Sequence, residues 1–271
     1  MLSLRLSLVA LLAASPALAA GPEPVPAAPV MMPAPAAPAT PNLVFSLRGG
    51  VATSPEYFGS DEYTLGPDFG LSVHYLRWGQ RSFGDPDPQA VTSGFAPRGS
   101  FRYIAARDPE DHDALDGLDE VDAAVELGFG LGYTARNFEA FVDLRRGFGG
   151  HEDWVAEAGA DAVFRPSPAL RLSIGPRLLW AGDEYHETYF GVTEDEAAAS
   201  DFAAYAPEGG VVSTGLAMGM TYRFNDVWSL DGEVTYDVFR GDAADSPIVQ
   251  QGSEDQWGAR IGITRVFSIG G

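Results

Sequence analysis

Residues 121–133 alternate between two kinds of side chain, and this pattern constrains the fold more than any other feature of the sequence. The odd positions are apolar or aromatic: Val121, Ala123, Val125, Leu127, Phe129, Leu131 and Tyr133. The even positions are polar or small: Asp122, Ala124, Glu126, Gly128, Gly130 and Gly132. A period of two predicts a β-strand with one apolar face, here pointing outward from Val121 to Tyr133, and one polar face.

The same alternation returns in about ten segments of roughly 10–13 residues, the length that a tilted strand needs to cross a bilayer. The sequence therefore predicts an all-β fold, an antiparallel transmembrane β-barrel of about ten strands. The predicted strands are residues 42–53, 67–78, 98–107, 121–134, 137–147, 153–165, 169–181, 211–224, 227–240 and 255–267.

The connections between these strands alternate in length. Short turns are predicted at residues 135–136, 166–168 and 225–226, and long, mostly acidic loops at residues 54–66, 108–120, 182–210 and 241–254. Short periplasmic turns and long outer loops are typical of bacterial outer-membrane barrels. The link at residues 79–97 is long where a turn is expected, and an extra hairpin within it would raise the strand count to twelve.

All five Trp residues fall at the ends of predicted strands. The topology places Trp78 and Trp228 at the periplasmic rim, and Trp154, Trp180 and Trp257 at the outer rim. An amphipathic indole suits the interface between lipid and water. In a soluble β-sandwich, Trp would more often lie mid-strand in the core, so this placement favours the membrane interpretation.

The inward faces of the strands carry Arg and acidic residues in similar numbers. They are Arg48, Arg102, Glu126, Asp143, Arg145, Glu157, Asp161, Arg171, Arg177, Arg223, Asp231, Glu233, Asp237 and Arg260. A barrel of about ten strands has an interior little wider than its side chains. Because unpaired charges there would be costly to desolvate, we expect Arg–carboxylate networks and a plugged interior. A selective pore lined by charge is the alternative.

The N-terminal region predicts export. Arg5, an apolar run at residues 6–14 and the segment Ala17-Leu18-Ala19 indicate a signal peptide at residues 1–19. Residues 20–41 are mostly Pro and Ala, and we interpret them as a disordered periplasmic spacer. Residues 42–271 then form the barrel, and the predicted location is the outer membrane, in contact with its lipid.

Composition argues against several other kinds of function. A formal charge of −21 is unfavourable for binding nucleic acid. The acidic loop around residues 108–122 could bind a divalent cation through carboxylate oxygens, but it lacks calcium-loop spacing. His74, His112, His151 and His186 are scattered and form no metal-ligand pair. We therefore predict no metal site and no cofactor.

Catalysis has only weak candidates. His112 and His151 could lie beside carboxylates at the outer rim and activate water. Ser200 and Ser246 are possible nucleophiles, but no sequence pattern connects either of them to a His. We therefore predict a protein that is not an enzyme and assign no catalytic residues.

Four segments, in the correct order, resemble the MipA/OmpV family of outer-membrane proteins. They are residues 55–63 (PEYFGSDEY), residues 115–128 (LDGLDEVDAAVELG), residues 189–205 with Tyr189-Phe190-Gly191-Val192, and residues 241–248 (GDAADSPI). The resemblance covers residues 42–267. Members usually end on a closing aromatic, whereas Phe267 is followed here by four further residues. The spacer at residues 20–41 lies outside the resemblance.

The resemblance implies an outer-membrane barrel that interacts with the lytic transglycosylase MltA. It also implies a scaffolding role between a murein hydrolase and a murein synthase, without chemistry of its own. The short turns offer less area than a stable interface of about 1,200 Å² requires, so we expect partner contacts at residues 79–97 and in the spacer. A small-solute pore, or an adhesion barrel whose loop at residues 182–210 recognises surface molecules, remains the alternative.

Overall fold

The computed structural model describes residues 40–88 and 90–270, which form an antiparallel sheet of eleven strands. The strands are β1 (Leu43–Pro55), β2 (Tyr63–Trp78), β3 (Arg81–Gly84), β4 (Gly94–Ile104), β5 (Ala124–Ala135), β6 (Phe138–Gly149), β7 (Trp154–Phe164), β8 (Leu170–Ala181), β9 (Gly210–Arg223), β10 (Trp228–Phe239) and β11 (Asp255–Ile269). The predicted signal peptide and residues 20–39 of the predicted spacer lie outside the described residues.

The sheet curls because its first and last long strands pair with each other. The strand order is β3-β2-β1-β11-β10-β9-β8-β7-β6-β5-β4, and Leu43 of β1 lies opposite Ile269 of β11. Every other ladder joins strands that follow one another along the chain. The result is a nearly closed barrel with β3 and β4 at the two edges of the sheet, and the predicted fold class is confirmed.

Ten of the strands match the ten predicted segments, and the eleventh lies in the long link at residues 79–97. The two-residue turn Gly79-Gln80 reverses the chain, and Gly79 has a φ of +64°, a conformation that favours glycine. β3 then pairs with the periplasmic end of β2, where Gly84 lies opposite Tyr75. The link therefore contributes one short strand, and the described chain has eleven strands instead of ten or twelve.

The outer face of the barrel is an apolar belt. Large hydrophobic side chains such as Phe69, Phe129 and Ile261 are exposed all around the strands. A water-soluble surface rarely exposes so large a contiguous apolar area, so lipid is the solvent of this face. All five Trp side chains are exposed near strand ends, as the sequence predicts.

The long loops contain the helices of the described chain. They are α1 (Asp183–Phe190), α2 (Glu194–Ala199), α3 (Gly241–Ala244) and α4 (Pro247–Gln251), with short 3₁₀ helices at Pro109–Asp111 and Asp113–Leu115. A capping box between Thr193 and Glu196 starts α2. Ser246 caps α4, whose first residue is Pro247. In the part of the chain that the structure describes, no helix is long and apolar enough to cross a membrane.

The loops pack into a single structure over the outer mouth, which we call the cap: residues 56–62, 105–123, 150–153, 182–209 and 240–254. In the larger of its two apolar clusters, Tyr185 and Phe190 of α1 are fully buried against Val155, Val212 and Phe239 at the strand ends. The second cluster consists of Leu115, Leu118, Val192, Phe202 and Ile248. These loops are therefore folded elements with cores of their own.

The cap also corrects one sequence-based expectation. Val121 was expected to face lipid at the start of a strand, but β5 begins only at Ala124. Val121 instead forms an isolated bridge with Arg107 and is buried in the larger cap cluster. Alternation alone does not distinguish the last residue of a loop core from the first residue of a strand.

Candidate functional site

Most inward charges of the barrel are paired, as the sequence analysis expected. Arginines on one strand reach carboxylates at ion-pair distance on the adjacent strand or on the strand after it. The pairs, by nitrogen–oxygen distance, are Arg48–Asp68 (2.6 Å), Arg171–Glu139 (2.6 Å), Arg177–Asp161 (3.0 Å), Arg260–Glu233 (3.0 Å) and Arg98–Asp143 (3.2 Å). The interior is thus stabilised by compensating charges, which lowers the cost of holding them away from water.

A buried network centred on Glu126 lies beneath the cap. The Nε of Arg145 donates to Glu126 Oε2 over 2.7 Å, and His151 Nε2 lies 3.3 Å from Glu126 Oε1. Arg102 Nη1 approaches the same Oε1 to 3.7 Å. Gly147 makes room for this arrangement, because a Cβ there would collide with the His151 ring.

The network is in direct contact with α1 of the cap. The His151 ring makes edge contacts with Tyr185 and Tyr189, at centroid distances of 5.0 and 5.7 Å. Burial raises the pKa of both tyrosines, so each stays a neutral phenol. The structure thus places His151 beside a carboxylate, as expected, but in the interior and not at an accessible rim.

The remaining catalytic candidates have structural partners. His112 Nδ1 lies 3.1 Å from Glu56 Oε2, and its ring packs against Tyr57. The Ser246 hydroxyl is fully buried and donates to the carbonyl of Phe190 over 2.7 Å. The Ser200 hydroxyl donates to the carbonyl of Glu196, also over 2.7 Å. Within residues 40–88 and 90–270, no group of three or more His and acidic side chains is placed to hold a metal ion.

A cavity of about 500 Å³ lies between the cap and the barrel wall. Its charged and polar lining includes Arg102, Arg107, Arg177, Glu56, Glu157, Glu233, Asp237, Thr64 and Tyr189. Its apolar lining includes Phe58, Val212 and Phe239. The expectation of a plugged interior therefore holds at the outer mouth, where α1 fills the opening, but space remains below it.

The alternation that predicts the strands gives no signal that Tyr185, Tyr189 and Phe58 are core residues. Phe58 packs edge-on against Tyr189 at 5.1 Å and lies within 6.0 Å of Phe190, so it joins the first outer loop to α1. The spacing of Tyr185 and Tyr189 was a usable signal, because residues four apart share one face of a helix.

The opposite rim, which faces the periplasm in barrels of this topology, has one large feature. The short turns are closed by local hydrogen bonds, such as those from the backbone N–H groups of Val227 and Trp228 to Asn225 Oδ1. The link carrying β3 is different, because all four residues of β3 are exposed. Thr92 donates to Asp85 Oδ2 over 3.1 Å and ties the link to itself.

Comparison with known proteins identifies the family. The family model described as "MltA-interacting protein MipA" matches residues 47–267. The chain belongs to this MipA family. It is an outer-membrane protein, in agreement with its lipid-facing belt.

Two relatives and one solved structure illustrate the similarity. The MltA-interacting protein of Escherichia coli K12 is 25% identical over 186 residues, which cover 67% of this chain and 69% of the relative. The outer membrane protein Omp26La of Vibrio anguillarum is 35% identical over 80 residues, 30% of each chain. The NanC porin structure has a TM-score of 0.39 and 9% identity, over 82% of this chain and 98% of that one.

Proposed function

We propose that this protein is a non-enzymatic outer-membrane barrel that binds a lytic transglycosylase at its periplasmic rim and so positions it near a murein synthase. The observation that carries the proposal is membership of the MipA family over residues 47–267, together with the name of the Escherichia coli relative, an MltA-interacting protein.

The geometry supports a binding role more than a chemical one. The cap fills the outer mouth, and the histidines and serines that could have served catalysis are held by partners inside it. The loop at residues 182–209 packs on the barrel, with Tyr185 and Phe190 fully buried, and does not present them for adhesion. Among the periplasmic connections of the described chain, the link at residues 79–97 is the longest, and all four residues of its strand β3 are exposed.

The side chains of the link suit a protein interface. Trp78, Arg81, Phe83 and Val91 are exposed on or beside β3. Aromatic residues and Arg are enriched where proteins bind one another. β3 also has one edge with no hydrogen-bonded strand in the described chain, so an extended segment of the partner could pair with it. The predicted spacer at residues 20–41 would add area from the same rim.

The test is capture of a purified lytic transglycosylase by the detergent-solubilised barrel. We expect replacement of residues 79–93 by an Asn-Gly turn to weaken capture by about tenfold or more, as loss of an interface centre does. Asp226→Gly, which creates an Asn-Gly turn elsewhere on the same rim, is the matched control and should capture normally. Deletion of residues 20–39 measures the contribution of the spacer. If the link replacement folds and captures as well as the control, the proposed docking site is wrong.

The internal cavity supports a second candidate, a small-solute pore. Its lining carries both guanidinium and carboxylate groups, which offer hydrogen bonds to polar solutes. Single-channel conductance in planar bilayers separates the two functions. Steps of conductance in the intact protein, with no capture of a transglycosylase, would favour the pore.

A further inference from the structure

The sheet has a seam between β2 and β4. On the edge of β2 that faces away from β1, only Tyr75–Trp78 are paired, with the short β3. The rest of that edge has no hydrogen-bonded neighbour in the described chain, and neither does the edge of β4 that faces away from β5. Large apolar side chains on both flanking strands face the lipid, among them Phe69 on β2, which is 79% exposed, and Phe101 on β4, which is 67% exposed. The barrel wall is therefore open to the membrane along one line.

The seam leads into the cavity beneath the cap. Thr64 on β2 and Tyr103 on β4 both line the cavity. Tyr103 belongs to the lipid-facing side of its strand and is 60% exposed. The cavity therefore borders both strands that flank the seam. α1 of the cap fills the outer mouth, whereas no hydrogen-bonded strand of the described chain closes the seam.

The cavity presents buried donors that lack a hydrogen bond in the described chain. Arg107 Nε and the Tyr189 hydroxyl have no partner there, whereas Arg102 Nη1 lies at ion-pair distance, 3.7 Å, from Glu126 Oε1. Arg107 and Tyr189 are 6% and 3% exposed, and both line the cavity. Buried donors of this kind are normally paired, and guanidinium groups favour carboxylate or phosphate oxygens.

The acids that line the cavity are mostly engaged elsewhere. Glu157 accepts from Arg145 over 2.9 Å, and Glu233 accepts from Arg260 over 3.0 Å. Among the described residues, Arg107 has no carboxylate at ion-pair distance. Asp237 faces the same cavity without an ion pair and would repel a bound anion. Removing the charge of Asp237 should therefore favour the binding of an anion.

We propose that the cavity binds the headgroup of an anionic, single-chain amphiphile that enters from the outer leaflet through the seam between β2 and β4. The headgroup accepts hydrogen bonds from Arg102, Arg107 and Tyr189. A volume of about 500 Å³ holds the headgroup and the first part of the chain against Phe58 and Phe239. The rest of the chain leaves through the seam into the bilayer, whose acyl region is its natural solvent.

The test measures binding of three probes to the intact protein in neutral detergent, with native mass spectrometry as the readout. The probes are dodecanoate, dodecyl phosphate and dodecyltrimethylammonium. We expect saturable binding of at least one anionic probe, with a Kd about ten times or more below that of the cation, since charged hydrogen bonds supply the difference. A preference for carboxylate over phosphate indicates a fatty acid, and the reverse preference a phosphorylated lipid.

Variants assign the headgroup site. Arg107→Gln and Arg102→Gln should each raise the Kd of the preferred anionic probe about tenfold, because each removes a charged donor. Asp237→Asn should lower that Kd. Arg171→Gln, which alters an inward arginine that does not line the cavity, should leave it unchanged.

A second pair of variants tests the seam without disturbing the buried network. Gly66 lies on β2 beside the seam, does not line the cavity, and has nothing within 4 Å of an added Cβ, so Gly66→Trp narrows the seam and leaves the core intact. We expect it to reduce binding, whereas Leu127→Trp, on the lipid-facing side of β5, does not. Equal binding of anionic and cationic probes overturns the proposal. So does an unchanged Kd in both Arg102→Gln and Arg107→Gln, or an equal effect of the two Trp variants.

Discussion

Arg145 donates from Nε to Glu126 over 2.7 Å and from Nη1 to Glu157 over 2.9 Å, so one guanidinium on β6 connects β5 with β7. Both Arg145 and Glu126 are almost completely buried. His151 Nε2 and Arg102 Nη1 lie 3.3 and 3.7 Å from the other oxygen of Glu126, which is therefore at the centre of the network.

Glu126→Gln should destabilise the barrel strongly. The change keeps the shape of the side chain but leaves Arg145 and Arg102 buried beside a neutral group, and breaking a buried pair costs about 3 kcal/mol or more. Urea unfolding of the refolded protein in detergent, followed by tryptophan fluorescence, measures the loss. Glu139→Gln, which affects a half-buried pair with Arg171, should cost about 1 kcal/mol or less. Equal losses in both variants would contradict the central role of Glu126.

Gly147→Ala should destabilise the same region by a different route. The new Cβ would collide with the His151 ring, which is held between Glu126 and the tyrosines of α1. Overpacking of this kind costs about 1–3 kcal/mol. Gly99→Ala is the control, because a Cβ there meets nothing within 4 Å. If Gly147→Ala unfolds at the same urea concentration as Gly99→Ala, the His151 ring is not fixed as described.

The stability of the cap should fall in acid because of Glu196. Burial disfavours its charged form, but hydrogen bonds from the backbone N–H of Asp119 and from the backbone and hydroxyl of Thr193 outweigh burial, so the pKa of Glu196 is lowered. A lowered pKa contributes stability that is complete above the ordinary value of 4.5 and is lost as the pH falls through the lowered value. Protection factors at residues 193–200, which correct hydrogen-exchange rates for the slower intrinsic exchange in acid, should therefore fall below about pH 4.5.

Glu196→Gln should remove most of that acid dependence and cost about 1 kcal/mol of local stability at neutral pH, as loss of a capping box does. Glu194→Gln, on the exposed side of the same helix, should keep the pH dependence of the parent. An unchanged exchange profile in Glu196→Gln would assign the acid response to another carboxylate.

Phe190→Ala should loosen the cap while leaving the barrel folded. Phe190 is fully buried and packs edge-on against Phe239 at 5.2 Å, and removing such a ring costs about 3–5 kcal/mol. Because Phe190 packs α1 against the strand ends, we expect faster exchange throughout α1. Phe129→Ala removes a lipid-facing ring and should not change exchange in the cap. Protection of α1 equal to that of the parent would show that the cap is held from elsewhere.

The strands were predictable because lipid imposes a simple rule on them. Leu127 and Phe129 must face outward and Glu126 inward, and this alternation is readable without any contact information. The faces of Arg177 and Asp161 followed in the same way, and their pairing at 3.0 Å follows from a narrow interior. The indoles at strand ends added an independent check, since their positions depend on the bilayer and not on register.

The cap and the seam were not predictable for equally physical reasons. The segment Arg81-Ser82-Phe83-Gly84 is too short to show a period. The position of β3 is therefore defined only by its pairing with β2. Helices of the cap are short, and their burial depends on contacts such as Phe58 with Tyr189, from loops far apart in sequence. The hydrogen bond from Arg145 to Glu126 joins residues that lie diagonally across the β5–β6 ladder. It therefore depends on strand register, which alternation does not specify.

The pairing of Leu43 with Ile269 has a consequence for assembly. All other ladders are hairpins that each newly arrived strand can complete with its predecessor, but this one joins segments from the two extremities of the barrel sequence. Among the ladders of the described chain, the β1–β11 ladder closes the longest loop and therefore has the largest entropy cost of loop closure. Because β3 and β4 are not paired with each other, this ladder alone joins β1–β3 to β4–β11 in the described chain, and damage to either β1 or β11 should separate the barrel wall into those two sheets.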